Sequence, residues 1–223
     1  MDPKKTLQEL ARPLYPEHGQ NSWDHVNQVT VNMTNIVKSL ENRDLTLPEY
    51  AAGLFHDCSV LPRGDKKDHG YWSSEISAPL LLATGLFTKE QLADIKQAII
   101  EHETNDKKSD VYSSPIGDLL ASGDVNPPNV PWILNKSWCW GIKNGLTPEE
   151  RLDNMYKRMP EYYGSKSTTV YPKYYRRFYA DSIKDMQQQF DTITKERMLQ
   201  IVQAYRKKHG IKGDTILMPD PTE

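Results

Sequence analysis

The chain has 223 residues, with 28 lysines and arginines against 30 aspartates and glutamates, and its formal net charge is -2 at pH 7. This length most simply forms one domain, and the charge does not favour a nucleic-acid partner, which normally meets a strongly basic surface. Two cysteines are too few for a disulfide framework, and no window approaches about 18 apolar residues, so we expect no signal peptide, no membrane partner and a cytoplasmic location.

Helix signals follow one another from residue 22 onward. Ser22 is a typical N-cap, and the apolar residues after it have helical spacing up to Leu40. A second helix begins at Pro48, in the first turn where proline is favoured, and reaches the dipeptide His56-Asp57. Further helices are predicted at about 69–83, 88–103, 114–123 and 174–209, the last with at most one break. No segment alternates as a strand does, so the predicted fold class is all-α.

The expected single domain, 1–223, divides into four parts. We predict a helical core at about 10–125, an irregular Trp- and Pro-rich segment at 126–147, a C-terminal helical part at 148–210 and a loose tail at 211–223. The irregular segment contains three prolines before residue 132 and three tryptophans between 132 and 140. We interpret these tryptophans as anchors in the core or, alternatively, as a lid over a site.

Histidines and aspartates lie at the ends of the buried faces of five predicted helices. An ionised Asp57 beside the apolar Leu54 and Phe55 costs several kcal/mol to bury unless its charge is balanced, and a metal ion is one suitable partner. A single inward histidine is usually a hydrogen-bonded core residue, but five helices with this feature predict a shared ligand site. The residues are His25, His56, Asp57, His69, His102 and Asp124.

The order His25, His56-Asp57 and Asp124 resembles the HD superfamily of metal-dependent phosphohydrolases, in which His, His-Asp and Asp meet at one divalent metal. The resemblance covers about residues 10–125. It implies an HD-domain helical bundle with a C-terminal helical extension, and a first metal ion held by these four side chains.

Two further histidines resemble the pattern of HD proteins that hold two metals. His69 and His102 lie between the His-Asp pair and the last aspartate, and the resemblance implies that they hold a second ion. Asp57 would then bridge two ions roughly 3.5–4 Å apart, the separation of two-metal hydrolytic sites. Many HD proteins have Gly and Lys after the pair, where this chain has Cys58-Ser59, so the substrate is left open.

The ligand types and the resemblance together predict a metal-dependent hydrolase. Imidazole and carboxylate suit divalent transition metals such as Mn²⁺, Fe²⁺, Co²⁺, Ni²⁺ or Zn²⁺. The expected reaction is hydrolysis of a small phosphate ester or nucleotide by metal-activated water, with Asp57 as a catalytic residue. Arg63 and Lys66, in the loop before His69, are predicted to bind the substrate phosphate, although a solvated basic turn would have the same composition.

Two other functions fit the same residues. Some HD relatives hold two irons in this ligand set and oxidise a substrate C–H bond with O₂, and the missing Gly-Lys pair keeps this alternative open. A catalytically silent HD module, used for binding, is the second alternative. Metal analysis with an O₂-uptake assay and a phosphate-release assay separates the three.

Overall fold

The computed structural model describes residues 2–17, 22–60, 68–102 and 112–218. These residues form eleven α-helices and no strand, which confirms the predicted all-α class. No helix in this part of the chain has both the length and the apolar character that crossing a membrane requires.

The helices are numbered here in chain order. Their bounds are α1 Pro3–Ala11, α2 Trp23–Glu41, α3 Leu47–Phe55, α4 His69–Ala83, α5 Lys89–Glu101, α6 Pro115–Asp124, α7 Val130–Lys143, α8 Pro148–Tyr163, α9 Lys173–Phe178, α10 Ala180–Thr192 and α11 Lys195–Lys208. Helix α1 was not predicted, because its nine residues bury only Leu7 and Ala11 and so give a weak periodic signal.

The chain forms two compact units. The first contains Met1–Val125 and Val170–Phe178, and the second contains Asn126–Thr169 and Tyr179–Glu223. The sequence predicted one domain, and that stays a prediction, because a compact unit need not fold by itself.

Capping residues determine where the helices of the first unit begin. The Ser22 side chain accepts a hydrogen bond from the backbone N–H of His25. Thr46 and Thr88 each form a capping box at the start of α3 and α5, and Ser114 caps α6 ahead of Pro115. Each cap satisfies backbone donors that have no partner within the helix, so these starts are specified locally.

Two glycines allow close helix contacts in the first unit. A Cβ on Gly123 would lie 2.5 Å from Met33 Cγ and 3.0 Å from the Val29 carbonyl oxygen, so α6 can approach α2 closely only with glycine there. A Cβ on Gly70 would lie 2.7 Å from the carbonyl oxygen of Ile99, at the contact between α4 and α5. Both glycines stand next to predicted metal ligands, so these contacts bring the ligand-bearing helix ends together.

The prediction of an irregular segment at 126–147 is wrong, because Val130–Lys143 is helix α7. Pro131 lies in the first turn, where the missing N–H of proline costs nothing, and the Asn129 side chain caps the backbone N–H of Trp132. Prolines that suggested irregular structure therefore precede or begin a helix. Trp132 and Trp138 are both buried.

The C-terminal part also differs from its prediction. In place of a helix with at most one break there are three helices, α9, α10 and α11, and Thr194 caps the last of them. The described tail, residues 211–218, is not loose. The Arg206 guanidinium donates to the carbonyl oxygens of Gly213 and Thr215 at 2.8 and 2.9 Å, and the Asn135 amide donates to that of Leu217 at 3.1 Å. Residues 219–223 lie outside the described residues.

Candidate metal centre

Six predicted ligands come from five helices of the first unit. His25 lies in the first turn of α2, and His69 is the first residue of α4. His56 and Asp57 follow α3, His102 follows α5, and Asp124 is the last residue of α6. The structure brings all six together, in overlapping groups whose ligand atoms lie within 4.8 Å of one another. Because every ligand lies at a helix end, five helices can converge without their backbones colliding.

The first ligand group comprises His25, His56 and Asp124, which face one oxygen of Asp57. The Nε2 atoms of His25 and His56 lie 3.3 Å apart, and each lies 3.5 Å from Asp57 Oδ2. Asp124 Oδ1 lies 3.2 Å from His25 Nε2 and 3.8 Å from His56 Nε2. Four possible ligand atoms therefore surround one point.

The second ligand group comprises His69 and His102, which face the other oxygen of Asp57. Their Nε2 atoms lie 3.1 Å apart. Asp57 Oδ1 lies 3.1 Å from His69 Nε2 and 3.6 Å from His102 Nε2. The Asp57 carboxylate thus has one histidine pair on each of its two oxygens.

These separations fit metal coordination. Two ligand atoms on one ion with bonds of about 2.1 Å lie about 3.0–3.4 Å apart in octahedral or tetrahedral geometry. The separations in both ligand groups are close to that range without any rearrangement. The donors are nitrogen and carboxylate oxygen, the set that divalent transition metals bind. The cluster therefore has the composition and spacing of a metal site.

Backbone carbonyls orient two of the buried histidines. The Nδ1–H of His56 donates to the Gly53 carbonyl at 2.9 Å, and the Nδ1–H of His102 donates to the Ile99 carbonyl at 2.6 Å. Each bond selects the tautomer whose Nε2 lone pair points towards the centre of the cluster. Metal-binding histidines usually donate their other ring N–H in this way.

The charges in the cluster also favour a cation. Burial raises the pKa of Asp57, but the neighbouring histidines, His56 above all, hold it well below its usual range. Burial likewise opposes ionisation of Asp124, yet the hydrogen bond from His25 lowers its pKa. Burial lowers the pKa of His25, but hydrogen bonds to Asp124 and Asp57 raise it to about 9. Without metal, a proton on His25 therefore balances carboxylates that a metal ion would otherwise neutralise.

The His-Asp turn is tied to α4 by hydrogen bonds that no sequence pattern predicted. The Ser59 hydroxyl donates to the His69 carbonyl at 3.0 Å, and its backbone N–H donates to the Ser73 hydroxyl at 3.1 Å. The Tyr15 hydroxyl donates to the Leu54 carbonyl at 2.7 Å, beside the same turn. Ser59 is adjacent in sequence to the His-Asp turn, but nothing in the pattern pairs it with a residue ten positions later.

Two pairs of residues concern the predicted binding of phosphate. Arg63 and Lys66 lie outside the described residues, so their role stays a prediction. Cys58 and Ser59, which stand where many HD proteins have Gly and Lys, are fully buried and neutral. The Cys58 thiol donates to the Ser73 carbonyl, and burial raises its pKa to about 12. Neither residue supplies a cation to the centre.

Comparison of the chain with protein-family models, with curated proteins and with solved structures finds no match. The helical fold and its buried His/Asp cluster are compatible with an HD-type site. Evidence for metal binding therefore comes from the geometry of this chain alone.

Proposed function

We propose that the protein is a metal-dependent phosphohydrolase that acts on a small phosphate ester or nucleotide and uses two divalent metal ions. The observation that carries this proposal is the arrangement around Asp57, whose Oδ2 faces His25 and His56 while its Oδ1 faces His69 and His102. A carboxylate with a histidine pair on each oxygen suits a bridge between two ions. The phosphate substrate is inferred from the HD resemblance.

The ligands themselves favour an anionic substrate. When bound, divalent metals lower the pKa of a coordinated water from about 15.7 to about 7 and polarise a phosphoryl oxygen. Asp57 and Asp124 are the only carboxylates in the described cluster, so they offset only part of the charge of two divalent ions. The surplus positive charge would attract a phosphate group, and Asp57 would act as a catalytic residue by holding both ions in place.

Exposure indicates the side from which a substrate reaches the centre. His56, Asp57 and His102 are buried, with 0–3% of their surface exposed. His25 and Asp124 each expose 31% of their side chains, and His69 exposes 17%. A phosphate therefore approaches past His25 and Asp124, above a floor formed by the buried ligands.

Metal analysis and a substrate panel test the proposal. The full chain is purified without chelator, its metals are measured, and separate samples are loaded with Mn²⁺, Fe²⁺, Co²⁺, Ni²⁺ or Zn²⁺. We expect two ions per chain, and phosphate release from at least one nucleotide or small phosphate ester that stops on dialysis against chelator and returns with metal. Metal binding without turnover in the panel or with O₂ would contradict the proposal and favour a binding module.

A diiron oxygenase is the second candidate. The observation that favours it is the pair Cys58 and Ser59, whose neutral side chains are both hydrogen-bonded to backbone carbonyls of α4. The turn after Asp57 therefore lacks the cation that is typical of phosphate chemistry. Four histidines and two aspartates also suit iron. Two irons per chain, with O₂ consumed in proportion to an oxidised organic substrate and no phosphate released, would establish this candidate in place of the hydrolase.

A further inference from the structure

The second unit contains a cavity that the metal centre does not use. It has a volume of about 630 Å³, within the range of pockets that enclose small organic ligands. One face of α11 forms a wall, and Trp138 of α7, Pro148 of α8 and the turn 210–214 form the rest. Trp138, Val202 and Ile211 are buried and give the cavity an apolar lining.

The polar lining carries surplus positive charge. Arg206, Lys207 and Lys212 line the cavity, and Asp214 is the only acidic residue among the lining residues. Asp214 binds Arg151 with both oxygens, at 2.6 and 3.0 Å, so its charge is already paired. The cavity therefore contains cations that its own carboxylate does not balance.

Arg206 is the buried cation among the lining residues. Its side chain is only 7% exposed. Within the part of the chain that the structure describes, its oxygen acceptors are all uncharged: the side-chain oxygen of Asn135 at 3.1 Å and the carbonyl oxygens of Gly213 and Thr215. A buried guanidinium is normally compensated by an anion as well as by hydrogen bonds. Asp214 acts on Arg206 through its charge, but both of its oxygens bind Arg151, so one carboxylate is shared by two guanidinium groups. An anionic ligand in the cavity would add to that compensation.

We propose that this cavity binds a small organic anion. The apolar ring of the ligand would lie against Trp138, Val202 and Ile211, and its acidic group would lie among Arg206, Lys207 and Lys212. Apolar walls with a few convergent polar groups are the usual composition of small-ligand pockets. The apolar walls favour an organic ligand over an inorganic ion. The excess of cations over carboxylates among the lining residues favours an anion over a neutral compound.

Fluorescence titration of the full chain with 8-anilinonaphthalene-1-sulfonate tests both requirements. The probe combines an aromatic body with one sulfonate, and we expect saturable binding. 1-Naphthoate should displace it, whereas 1-naphthalenemethanol and inorganic phosphate should not. Displacement by the neutral alcohol as effective as by naphthoate would overturn the proposal, because the site would then be merely apolar.

Substitutions locate the binding. The double variant Lys207→Gln, Lys212→Gln should weaken the affinity by about fivefold or more at low salt, because it removes two exposed cations from the lining. The matched control Lys184→Gln, Lys208→Gln removes the same charge from exposed residues of the second unit that do not line the cavity, and should leave the affinity unchanged. Equal weakening in both double variants would mean that only the net charge matters, which contradicts a site.

A blocking variant gives an independent result. Gln203 is an exposed residue of the lining, so Gln203→Trp should fill the cavity with little effect on folding, and probe binding should be lost. Circular dichroism checks the fold. Should the variant be unfolded, the amide NMR signals of Gly210 and Gly213 in the unmodified chain decide: they should shift on addition of the probe, and unchanged signals at saturation would refute the proposal. No arm of the experiment requires metal or turnover, so failure here leaves the proposed function untouched.

Discussion

The two ligand groups of the metal centre share Asp57 but differ in how they are built. The first group, His25, His56 and Asp124, contains a carboxylate of its own and is open to solvent through two of its side chains. The second group, His69 and His102, has only the shared carboxylate and exposes much less surface. The first group therefore resembles a complete metal site, while the second depends on Asp57 for all its negative charge.

The packing around the two groups also indicates that the second is the more easily disrupted. Near the first group, a Cβ on Gly123 would meet chiefly the buried Met33 side chain, with the Val29 carbonyl oxygen next at 3.0 Å. Near the second group, the obstacle at Gly70 is the backbone carbonyl of Ile99, which already accepts the Nδ1–H of His102. A backbone carbonyl can move aside less than a side chain can, so the second group should tolerate less displacement, and its ion should be the first to be lost when the packing is disturbed.

Substitution of Asp57, which both groups share, should have the largest effect on metal content and turnover. Asp57→Asn replaces the shared carboxylate by a neutral amide with one ligating oxygen, so it removes the bridge and its negative charge. We expect the loss of both ions and a fall in turnover on the order of 10³. Asp118→Asn is the matched control. Asp118 is also buried, but it accepts backbone hydrogen bonds from Lys173 and Tyr174, so its variant should lose about 1–3 kcal/mol of stability and keep its metal. Stoichiometric metal and near-normal turnover in Asp57→Asn would mean that Asp57 is a structural residue.

Removing one group at a time tests whether two ions are bound. His69→Ala with His102→Ala should halve the bound metal, leave the first ion in place and lower the rate far more than the stability. The mirrored variant, His25→Ala with Asp124→Ala, should remove the first ion instead. Metal content per chain and thermal unfolding are the two measurements. If the unmodified protein, supplied with Mn²⁺ or Fe²⁺, never binds more than one ion per chain, the two-metal prediction is wrong.

Two glycine substitutions test the difference between the two ligand groups without changing a ligand residue. Gly70→Ala places a methyl group against the Ile99 carbonyl, so α4 and α5 must separate, at a cost of about 1–3 kcal/mol. We expect the second ion to dissociate at a lower chelator concentration than the first. Gly123→Ala should cost less and weaken the first ion selectively. The same order of metal loss in both variants would contradict the assignment of the two glycines to different groups.

The smallest effects on metal affinity should come from loss of hydrogen bonds to the backbone at or next to the candidate ligands. Ser59→Ala removes the bond to the His69 carbonyl and the bond that the Ser59 hydroxyl accepts from Ser73, and should cost about 1–2 kcal/mol. The affinity for the second ion should fall about tenfold, as is usual when a group that orients a ligand is lost. Asn32→Ala removes the bond from its amide to the Gly123 carbonyl, 2.9 Å long, and should affect the first ion instead. Competition with a chelating dye measures both affinities; an effect of Ser59→Ala on the first ion alone would be evidence against this arrangement.

Much of the fold could be predicted because its signals act over one or two helical turns. Ser22, Thr88 and Ser114 cap helices where the sequence predicts them, and Gly210, with a φ of 65°, follows the last helix at the predicted stop. All six candidate ligands could be predicted because each lies at an end of a buried helical stripe. The same local rules failed at 126–147, where prolines that begin a helix were interpreted as prolines that prevent one.

The helical class, most helix starts and the six candidate ligands follow from the amino-acid sequence alone. Helix packing adds the short distance between His69 and His102, which the resemblance only implied, and the different oxygen that Asp57 presents to each histidine pair. It also brings Arg206 to the described part of the tail, which no sequence pattern indicated. Caps and apolar periodicity involve residues a few positions apart, so they can be recognised along the chain. The pairings join residues separated by 7 to 33 positions, and they exist only once helix packing has brought distant segments within hydrogen-bond distance.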